Sequence, residues 1–400
     1  MRPKHRPGTS GSRRHGKLTF IIRRKLADWL PYLDWILFVL LWLAIILPFL
    51  TYFLPREKRV ALPRLPEDAI SQQWYLDQIQ ARPAWSITLG SKDVIVAVID
   101  TGVDYTHHDL APNIWVNTAE IPNDGVDNDH NHYIDDYFGW DFIDNDGDPM
   151  PGEAKGAEHG TMVAGIIGAV HDNGGIEGVS GNVRLMTIRV RTGTVELDSF
   201  LPCSQGQYGY YLAQGIRYAA DNGAKVINLS LTSSLASQQL GHCVQDAVWY
   251  AFCKDVVMVA AAGNNNENIV SFPASMIPVI AVGATNKQDQ RLSINGNEGS
   301  NYGAALDVVA PGVDIWTTTI NNQYKRSDGT SLAAPQVAGL AALLLSIEPH
   351  LSVTQVKDYI EMYTQKIEGY QYVRGWNEET GWGRIDVYRV LYAASLDSQR

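Results

Sequence analysis

The segment VIVAVIDTGVD, residues 94–104, joins an unbroken apolar run to two aspartates. A short run of mostly β-branched residues is typical of a strand that is buried on both faces, as in a parallel sheet. Asp100 follows this run directly. Because ligands bind beyond the carboxyl ends of the strands in such sheets, we expect functional side chains at Asp100 and just after the other strands.

Downstream of this segment, apolar runs alternate with stretches of helical pattern. The predicted strands are Val94–Ile99, Leu185–Val190, Lys225–Leu229, Val256–Ala261, Pro278–Val282 and Asp307–Val309. The predicted helices are Gly160–Val170, Gln207–Asn222, Gln238–Cys253 and Ser331–Ile347. This alternation predicts an α/β fold, a mostly parallel sheet with helices on both faces.

Two further polar residues stand where predicted helices begin, His159 in HGTMVAG and Ser331 in GTSLAAPQVAG. Taken singly, they fit a capping histidine and a serine N-cap, and Asp100 fits a turn cap. An aspartic protease also uses Asp-Thr-Gly, but the chain has no second Asp-Thr-Gly or Asp-Ser-Gly. A serine hydroxyl needs a base to remove its proton, and that base needs a carboxylate to fix its tautomer. Together the three residues therefore indicate nucleophilic catalysis.

Four segments in chain order, VIVAVIDTGVD, HGTMVAG, VVMVAAAGNN and GTSLAAPQVAG, resemble the signature segments of the subtilisin-like serine proteases. The similarity runs from about Gln72 to the closing GWGRIDVYRVL. It implies a subtilisin-like parallel-sheet domain with Asp100 as the orienting acid, His159 as the general base and acid, and Ser331 as the nucleophile. Asn264 matches the residue whose side chain donates to the oxyanion, with the Ser331 backbone N–H as the second donor.

The same resemblance implies where substrate binds. Substrate is expected to lie extended beside INLSL, residues 227–231. The residues expected to form the first specificity pocket and to pair with the substrate backbone are Ser230, Leu231, Ala262 and Gly263. Thr232 stands where the family usually has Gly, so its β-branched side chain is expected to narrow the rim of that pocket. Gln336 stands where the family often has His, and we expect it to pack or hydrogen-bond.

Two acidic loops have the spacing of calcium ligands. In the first, oxygen-bearing residues recur at every second position, with the Tyr133 carbonyl at the seventh. The predicted ligands are Asp127, Asp129, Asn131, Tyr133 and Asp135 in the first loop, and Asp141, Asp144, Asp146 and Asp148 in the second. Hard oxygen donors favour structural Ca²⁺ over zinc, although a solvated acidic loop is the alternative. The resemblance adds Asp109 as a calcium ligand, and we interpret the nearby His107, His108, His130 and His132 as surface residues.

The N-terminal sequence predicts how the protein is placed relative to a membrane. Trp35–Leu54 is twenty residues without a charge, long enough for a helix to cross a bilayer. Nine basic residues and no acidic one precede it in the first 25 residues, so the N-terminus is expected to be cytoplasmic. The predicted organisation is a basic cytoplasmic tail (1–34), a transmembrane signal anchor (35–54), a linker (55–70) and an extracytoplasmic peptidase domain (71–400).

Charge and cysteine content restrict the partners. The whole chain has a net charge of −11, and residues 26–400 have −20, which excludes nucleic acid as a main partner. Three cysteines rule out a four-thiolate zinc site and a disulfide scaffold. An oxidising compartment would allow Cys203 to bond Cys243, leaving Cys253 packed as a small apolar residue, and three free thiols is the alternative.

These observations predict a membrane-anchored serine endopeptidase that acts on protein or peptide substrates outside the cytoplasm. The alternative is a catalytically silent, calcium-stabilised ectodomain that binds a protein partner. The intact set Asp100, His159, Asn264 and Ser331 favours the enzyme, because a silent relative would tolerate the loss of any of them.

Overall fold

The computed structural model describes residues 72–193, 203, 208–231, 242–294 and 296–397. The predicted membrane span Trp35–Leu54, the linker 55–70 and Thr232 lie outside these residues. The predictions about them therefore stay predictions.

A seven-stranded sheet, parallel throughout, forms the centre of the domain, in the order β2-β3-β1-β4-β5-β6-β9. Its strands are β1 (Ile95–Asp100), β2 (Gly139–Asp141), β3 (Arg184–Arg189), β4 (Val226–Leu229), β5 (Val257–Ala261), β6 (Val279–Thr285) and β9 (Val308–Pro311). Two antiparallel pairs complete the strands, β7 (Ser293–Ile294) with β8 (Glu298–Gly299) and β10 (Ile315–Thr319) with β11 (Gln323–Ser327). Because β1 lies between β3 and β4, the chain reverses its direction across the sheet at β1, which is where such sheets bind ligands.

Eight α-helices are present among the described residues. They are α1 (Trp74–Gln78), α2 (Ala81–Ala84), α3 (His159–Gly168), α4 (Tyr208–Asp221), α5 (His242–Cys253), α6 (Thr330–Ile347), α7 (Val353–Met362) and α8 (Val387–Asp397). The predicted α/β class and the main strands and helices are confirmed, with shifts of a few residues at their ends. The prediction did not include β2, the β10–β11 hairpin, α7 or α8.

The sheet separates two apolar cores. Along β1, Val96 and Val98 face one core, while Ala97 and Ile99 face the other. Side chains alternate between the two faces of a strand, so an unbroken apolar run supplies both cores at once. Helices α3 and α6 pack in the first core, and α4 and α5 pack in the second. Helices therefore cover both faces, as the sequence predicted.

One described helix, α6, is long and apolar enough to cross a bilayer by length and composition alone. It is 83% buried inside the domain, as expected for the core helix of a globular protein. It bears no relation to the predicted span Trp35–Leu54.

A disulfide joins Cys203 to Cys243 at the beginning of α5, with a Cα–Cα distance of 5.8 Å. This is the first of the two arrangements that the sequence left open. The remaining cysteine, Cys253, is exposed. The expectation that Cys253 packs as an apolar residue was wrong, because it lies at the last, solvent-facing position of α5.

Candidate active site

Asp100 and His159, 59 residues apart in sequence, meet at the carboxyl end of β1. His159 is the first residue of α3, and its Nδ1 lies 2.8 Å from Asp100 Oδ1 and 3.0 Å from Oδ2. Because an ionised carboxylate can only accept, the ring carries its proton on Nδ1 in the neutral form. Among the described residues, Nε2 of His159 has no hydrogen-bond partner. The pair therefore leaves Nε2 of His159 able to accept a proton.

Asp100 is almost completely buried, with 1% of its side chain exposed. Burial alone would raise its pKa, but the charges of His159 and Arg191, with hydrogen bonds from His159 and the Thr101 backbone N–H, bring the pKa below its usual value. The Thr101 N–H donates to Oδ1 over 2.7 Å. Asp100 is therefore held as a carboxylate that orients the imidazole.

Ser331 is the second residue of α6, and its contacts run to the end of β4. Its Oγ donates to the carbonyl of Ser230 over 3.3 Å, and Ser230 Oγ donates back to the Ser331 carbonyl over 2.8 Å. In the part of the chain that the structure describes, Ser331 Oγ makes no hydrogen bond with His159. Such bonds are often long without substrate and tighten only in the Michaelis complex.

The amide of Asn264, just after β5, is oriented by Thr330. The backbone N–H and the hydroxyl of Thr330 both donate to Asn264 Oδ1, each over 2.9 Å. A backbone N–H cannot accept, so the atom that faces it must be the amide oxygen. This leaves the NH₂ group of the exposed Asn264 available as a donor. The sequence did not identify Thr330 as a positioning residue, although it directly precedes Ser331.

The predicted substrate residues divide into two groups. Ser230 reaches Ser331, as described above. The place of Leu231 in the specificity pocket stays a prediction, although its side chain is 1% exposed and belongs to the second core. Leu231 is buried because neighbouring side chains of an extended segment point to opposite sides, so a Ser230 that faces Ser331 turns Leu231 inward.

The backbone N–H and C=O groups of Ala262 and Gly263 each make a hydrogen bond within the domain. The Ala262 N–H donates to Val282, and its carbonyl accepts from Ser271. The Gly263 N–H donates to Thr330 Oγ1 and its carbonyl accepts from Asn301. Each carbonyl keeps a second lone pair, so the role of these two residues in binding substrate stays a prediction. Gly263 has a φ of +112°, and a Cβ there would lie 2.4 Å from Asn301 Nδ2, so only glycine fits.

Part of the first acidic loop gathers around a residue that the sequence did not single out. Carboxylate oxygens of Glu120, Asp127 and Asp129 lie within 4.8 Å of one another. The Asn131 N–H donates to both of these aspartates, and the Asn131 amide oxygen accepts from Tyr133. Glu120 lies seven residues before the loop, outside the repeating pattern, so spacing could not reveal it.

Tyr133 and Asp135 of the first loop line a cavity of about 620 Å³ together with Asp146 and Asp148 of the second. The Asp135 carboxylate accepts from the backbone N–H groups of Asp124 and Gly125. The structure thus places these predicted ligands around one space, and the Asp135 N–H, which donates to Glu120 Oε2 over 3.2 Å, links this space to the Glu120 group.

An arginine side chain of the same chain pairs with the carboxylates of the second acidic loop. Arg189, the last residue of β3, forms ion pairs with Asp141 and, over 2.6 Å, with Asp144. The prediction of a metal ion here assumed that the carboxylates had no compensating charge. That assumption was wrong, because the guanidinium supplies the positive charge. Nothing in the spacing of the aspartates points to a cation some 45 residues away.

Asp109, the remaining predicted ligand, is fully buried. Its carboxylate accepts from Asn173, Ile176 and Tyr324 over 2.8 to 2.9 Å. Beside it, His107 Nδ1 accepts from the Asp109 N–H, so Nε2 must be the protonated nitrogen that donates to the Gln323 carbonyl. Burial lowers the pKa of His107. His107 is thus a neutral core residue, and its interpretation as a surface residue was wrong.

Known proteins that are similar to this chain share the region that contains these residues. A model of the subtilase family matches residues 91–383, which contain Asp100, His159, Asn264 and Ser331. Thermophilic serine proteinase of Bacillus sp. (strain AK1) is 41% identical over 315 residues, 77% of this chain and 64% of that protein. Thermitase of Thermoactinomyces vulgaris is 36% identical over 324 residues, 80% of this chain and 96% of that protein. Subtilisin Savinase of Lederbergia lenta is 33% identical over 295 residues, 73% and 91% of the two chains. The chain thus spans less than two thirds of the first of these relatives and nearly all of the second.

Proposed function

The chain belongs to the subtilase family, and we propose that it is a serine endopeptidase that hydrolyses peptide bonds through Asp100, His159 and Ser331. The observation that carries this proposal is the hydrogen-bonded Asp100–His159 pair, in which the carboxylate is desolvated and the distal imidazole nitrogen is unused. A base held in this way is what a serine nucleophile requires.

The proposed steps use only groups of this chain. His159 Nε2 takes the proton of Ser331 Oγ as that oxygen attacks the peptide carbonyl, and Asp100 stabilises the imidazolium that forms. The NH₂ group of Asn264 and the backbone N–H of Ser331 donate to the oxygen that becomes negative. The imidazolium then gives its proton to the leaving amine, and water releases the acyl group by the same route. Ser331 must first exchange its bond to the Ser230 carbonyl for one to His159.

We also propose that structural calcium binds the Glu120, Asp127 and Asp129 group. The donor set fits, because it consists of hard carboxylate oxygens that converge within 4.8 Å. Each of the three carboxylates keeps an oxygen that accepts a single bond and so has a lone pair available for an ion: Glu120 Oε2 accepts from Asp135, and Oδ1 of Asp127 and of Asp129 accept from Asn131. Bound Ca²⁺ would offset two of the three negative charges and cross-link a long loop.

Membrane anchoring and an extracytoplasmic peptidase domain remain part of the proposal. Trp35–Leu54 and the basic residues before it support the anchor and its orientation. The Cys203–Cys243 disulfide supports an oxidising compartment for the peptidase domain.

A silent ectodomain that binds a partner is the competing function, and the bond from Ser331 Oγ to Ser230 instead of His159 is the observation in its favour. The two functions differ in their reaction with a fluorophosphonate probe. We expect the full-length chain to be labelled and Ser331→Ala to remain unlabelled, with Ser346→Ala as the control that keeps labelling. A wild-type chain that stays unlabelled and cleaves no peptide in a mixed library would support the silent ectodomain.

A further inference from the structure

Arg191 lies beside the carboxylate of Asp100. Strands β1 and β3 run parallel with Asp100 opposite Arg189, and the N–H of Val190 donates to the Asp100 carbonyl over 2.9 Å. The chain that leaves β3 therefore continues along the end of β1. Its next side chain, Arg191, brings Nε to 3.9 Å from Asp100 Oδ1.

This contact is desolvated and electrostatic. Only 13% of the Arg191 side chain is exposed, and Asp100 is almost wholly buried. Arg191 Nε has no hydrogen-bond partner among the described residues, and Oδ1 already accepts from Thr101 and His159. A buried N–H without an acceptor costs free energy. The attraction between the guanidinium and the carboxylate is the interaction that offsets this cost.

We propose that Arg191 is a positioning residue that acts through Asp100 to keep His159 neutral, and able to accept a proton, at lower pH than Asp100 alone would allow. The inference rests on the proposed function, in which His159 is the general base. A carboxylate stabilises the protonated imidazole beside it. A positive charge near the same carboxylate offsets part of that stabilisation and repels the protonated ring.

The other charged groups around His159 are balanced among themselves. Glu158, its neighbour on the chain, forms an ion pair with Lys325 of β11 over 3.1 Å. Tyr208, at the beginning of α4, has a buried hydroxyl whose pKa is raised by burial, so the ring is uncharged. In the described part of the chain, Arg191 is thus the cation that acts on the Asp100–His159 pair, and Asp100 is the carboxylate that it contacts.

The test is the pH dependence of kcat/KM for a peptide substrate, measured from pH 4 to 9 on the full-length chain. In Arg191→Gln we expect the midpoint of the acidic limb to move upward by about 0.5 to 1 pH unit. On the limb this is a loss of roughly 3- to 10-fold relative to the wild type. Arg191→Lys retains the charge and should have a midpoint close to that of the wild type. Arg384→Gln, which removes a similarly buried cation paired with Asp289, is the matched control and should leave the midpoint unchanged.

The outcomes separate a charge effect from a structural one. A structural role would lower the rate by the same factor at every pH and leave the midpoint in place, which would overturn the inference. Equal shifts in the Gln and Lys variants would also overturn it, because the charge would then be irrelevant. If Arg191→Gln fails to fold, Arg191→Met keeps the apolar stem and allows the same comparison. Failure of the proposed function looks different, since wild-type activity would then show no acidic limb or would survive Ser331→Ala.

Discussion

The oxygen and the NH₂ group of the Asn264 amide have different roles, and two substitutions at this residue can separate them. Oδ1 accepts both donors of Thr330, a residue that is 0% exposed, while the NH₂ group is free for the developing oxyanion. Asn264→Ala removes both ends of the amide. Asn264→Asp keeps an oxygen for Thr330 but has no donor, and it places a negative charge where the oxyanion forms.

The magnitudes follow from these contacts. A hydrogen bond to a charged group contributes about 1.5–3 kcal/mol, so Asn264→Ala should lower kcat roughly 10- to 150-fold. KM should change little, because the donor acts mainly in the transition state. The same substitution leaves the buried N–H and hydroxyl of Thr330 without their acceptor, which should lower the free energy of unfolding by about 1–3 kcal/mol. Asn264→Asp should lose more activity than the alanine variant and less stability.

The assay combines peptide hydrolysis at saturating substrate with urea unfolding followed by circular dichroism, on the full-length chain and its variants. We expect the two variants to rank oppositely in stability and activity, with Asn264→Ala the less stable and Asn264→Asp the less active. Asn265→Ala is the matched control, because its exposed side chain makes no hydrogen bond among the described residues, and it should change neither quantity. Wild-type turnover in Asn264→Ala, or equal losses of stability in the two Asn264 variants, would refute the reasoning.

Two further predictions concern stability. Excess Ca²⁺ should raise the melting temperature of the full-length chain above its value in EDTA. The double substitution Asp127→Asn with Asp129→Asn should abolish this difference, whereas the control Asp255→Asn should keep it. Equal melting temperatures of the wild type with Ca²⁺ and with EDTA, after verified metal removal, would contradict the prediction. Burial, together with the charge of Asp307, raises the pKa of Glu361 to about 7 from its usual 4.5. The folded state then binds a proton that the unfolded state has lost, so the free energy of unfolding should fall by up to about 3 kcal/mol as the pH rises from 4.5 to 7. Glu361→Gln should flatten this dependence in urea unfolding and Glu368→Gln should not, and parallel wild-type and Glu361→Gln curves would show that Glu361 carries no such linkage.

The parts of the fold that the sequence predicts are the strands that are buried on both faces and therefore read as nearly unbroken apolar runs. β1 and β5 present apolar side chains to both cores, and in β4 the buried Asn228 is the one polar residue, so all three strands stand out in the sequence. β2 reads Gly-Trp-Asp and was not predicted, because a three-residue strand has no period. It pairs with β3 only because a glycine at position 139 allows the Thr187 carbonyl to approach where a Cβ would lie 1.9 Å away. β11 was missed because its side chains are largely half-exposed and polar.

The candidate site shows the same division between local and long-range information. Asp100, His159 and Ser331 stand at element ends that local pattern identifies. The burial of the Leu231 side chain also follows from alternation along the chain, and sequence reasoning could have found it. The partners of Arg189 and Arg191 could not be found in this way, because each is fixed by the register between β3 and β1 and by a loop that returns to that edge.

Arg189 and Arg191 stand two residues apart at the end of β3, and they show why identical side chains acquire different roles. Arg189 forms ion pairs with Asp141 and with Asp144, which is more than half exposed, and so cross-links the second acidic loop. Arg191 finds a single carboxylate whose oxygens already accept from other groups, so its charge remains available to act on the histidine beyond. The first arrangement is satisfied within itself and contributes mainly to the structure of the loop. The charge of Arg191 still acts on His159, the group that takes up the proton in the proposed reaction. A charge in this position alters the chemistry of the site as well as the stability of the fold.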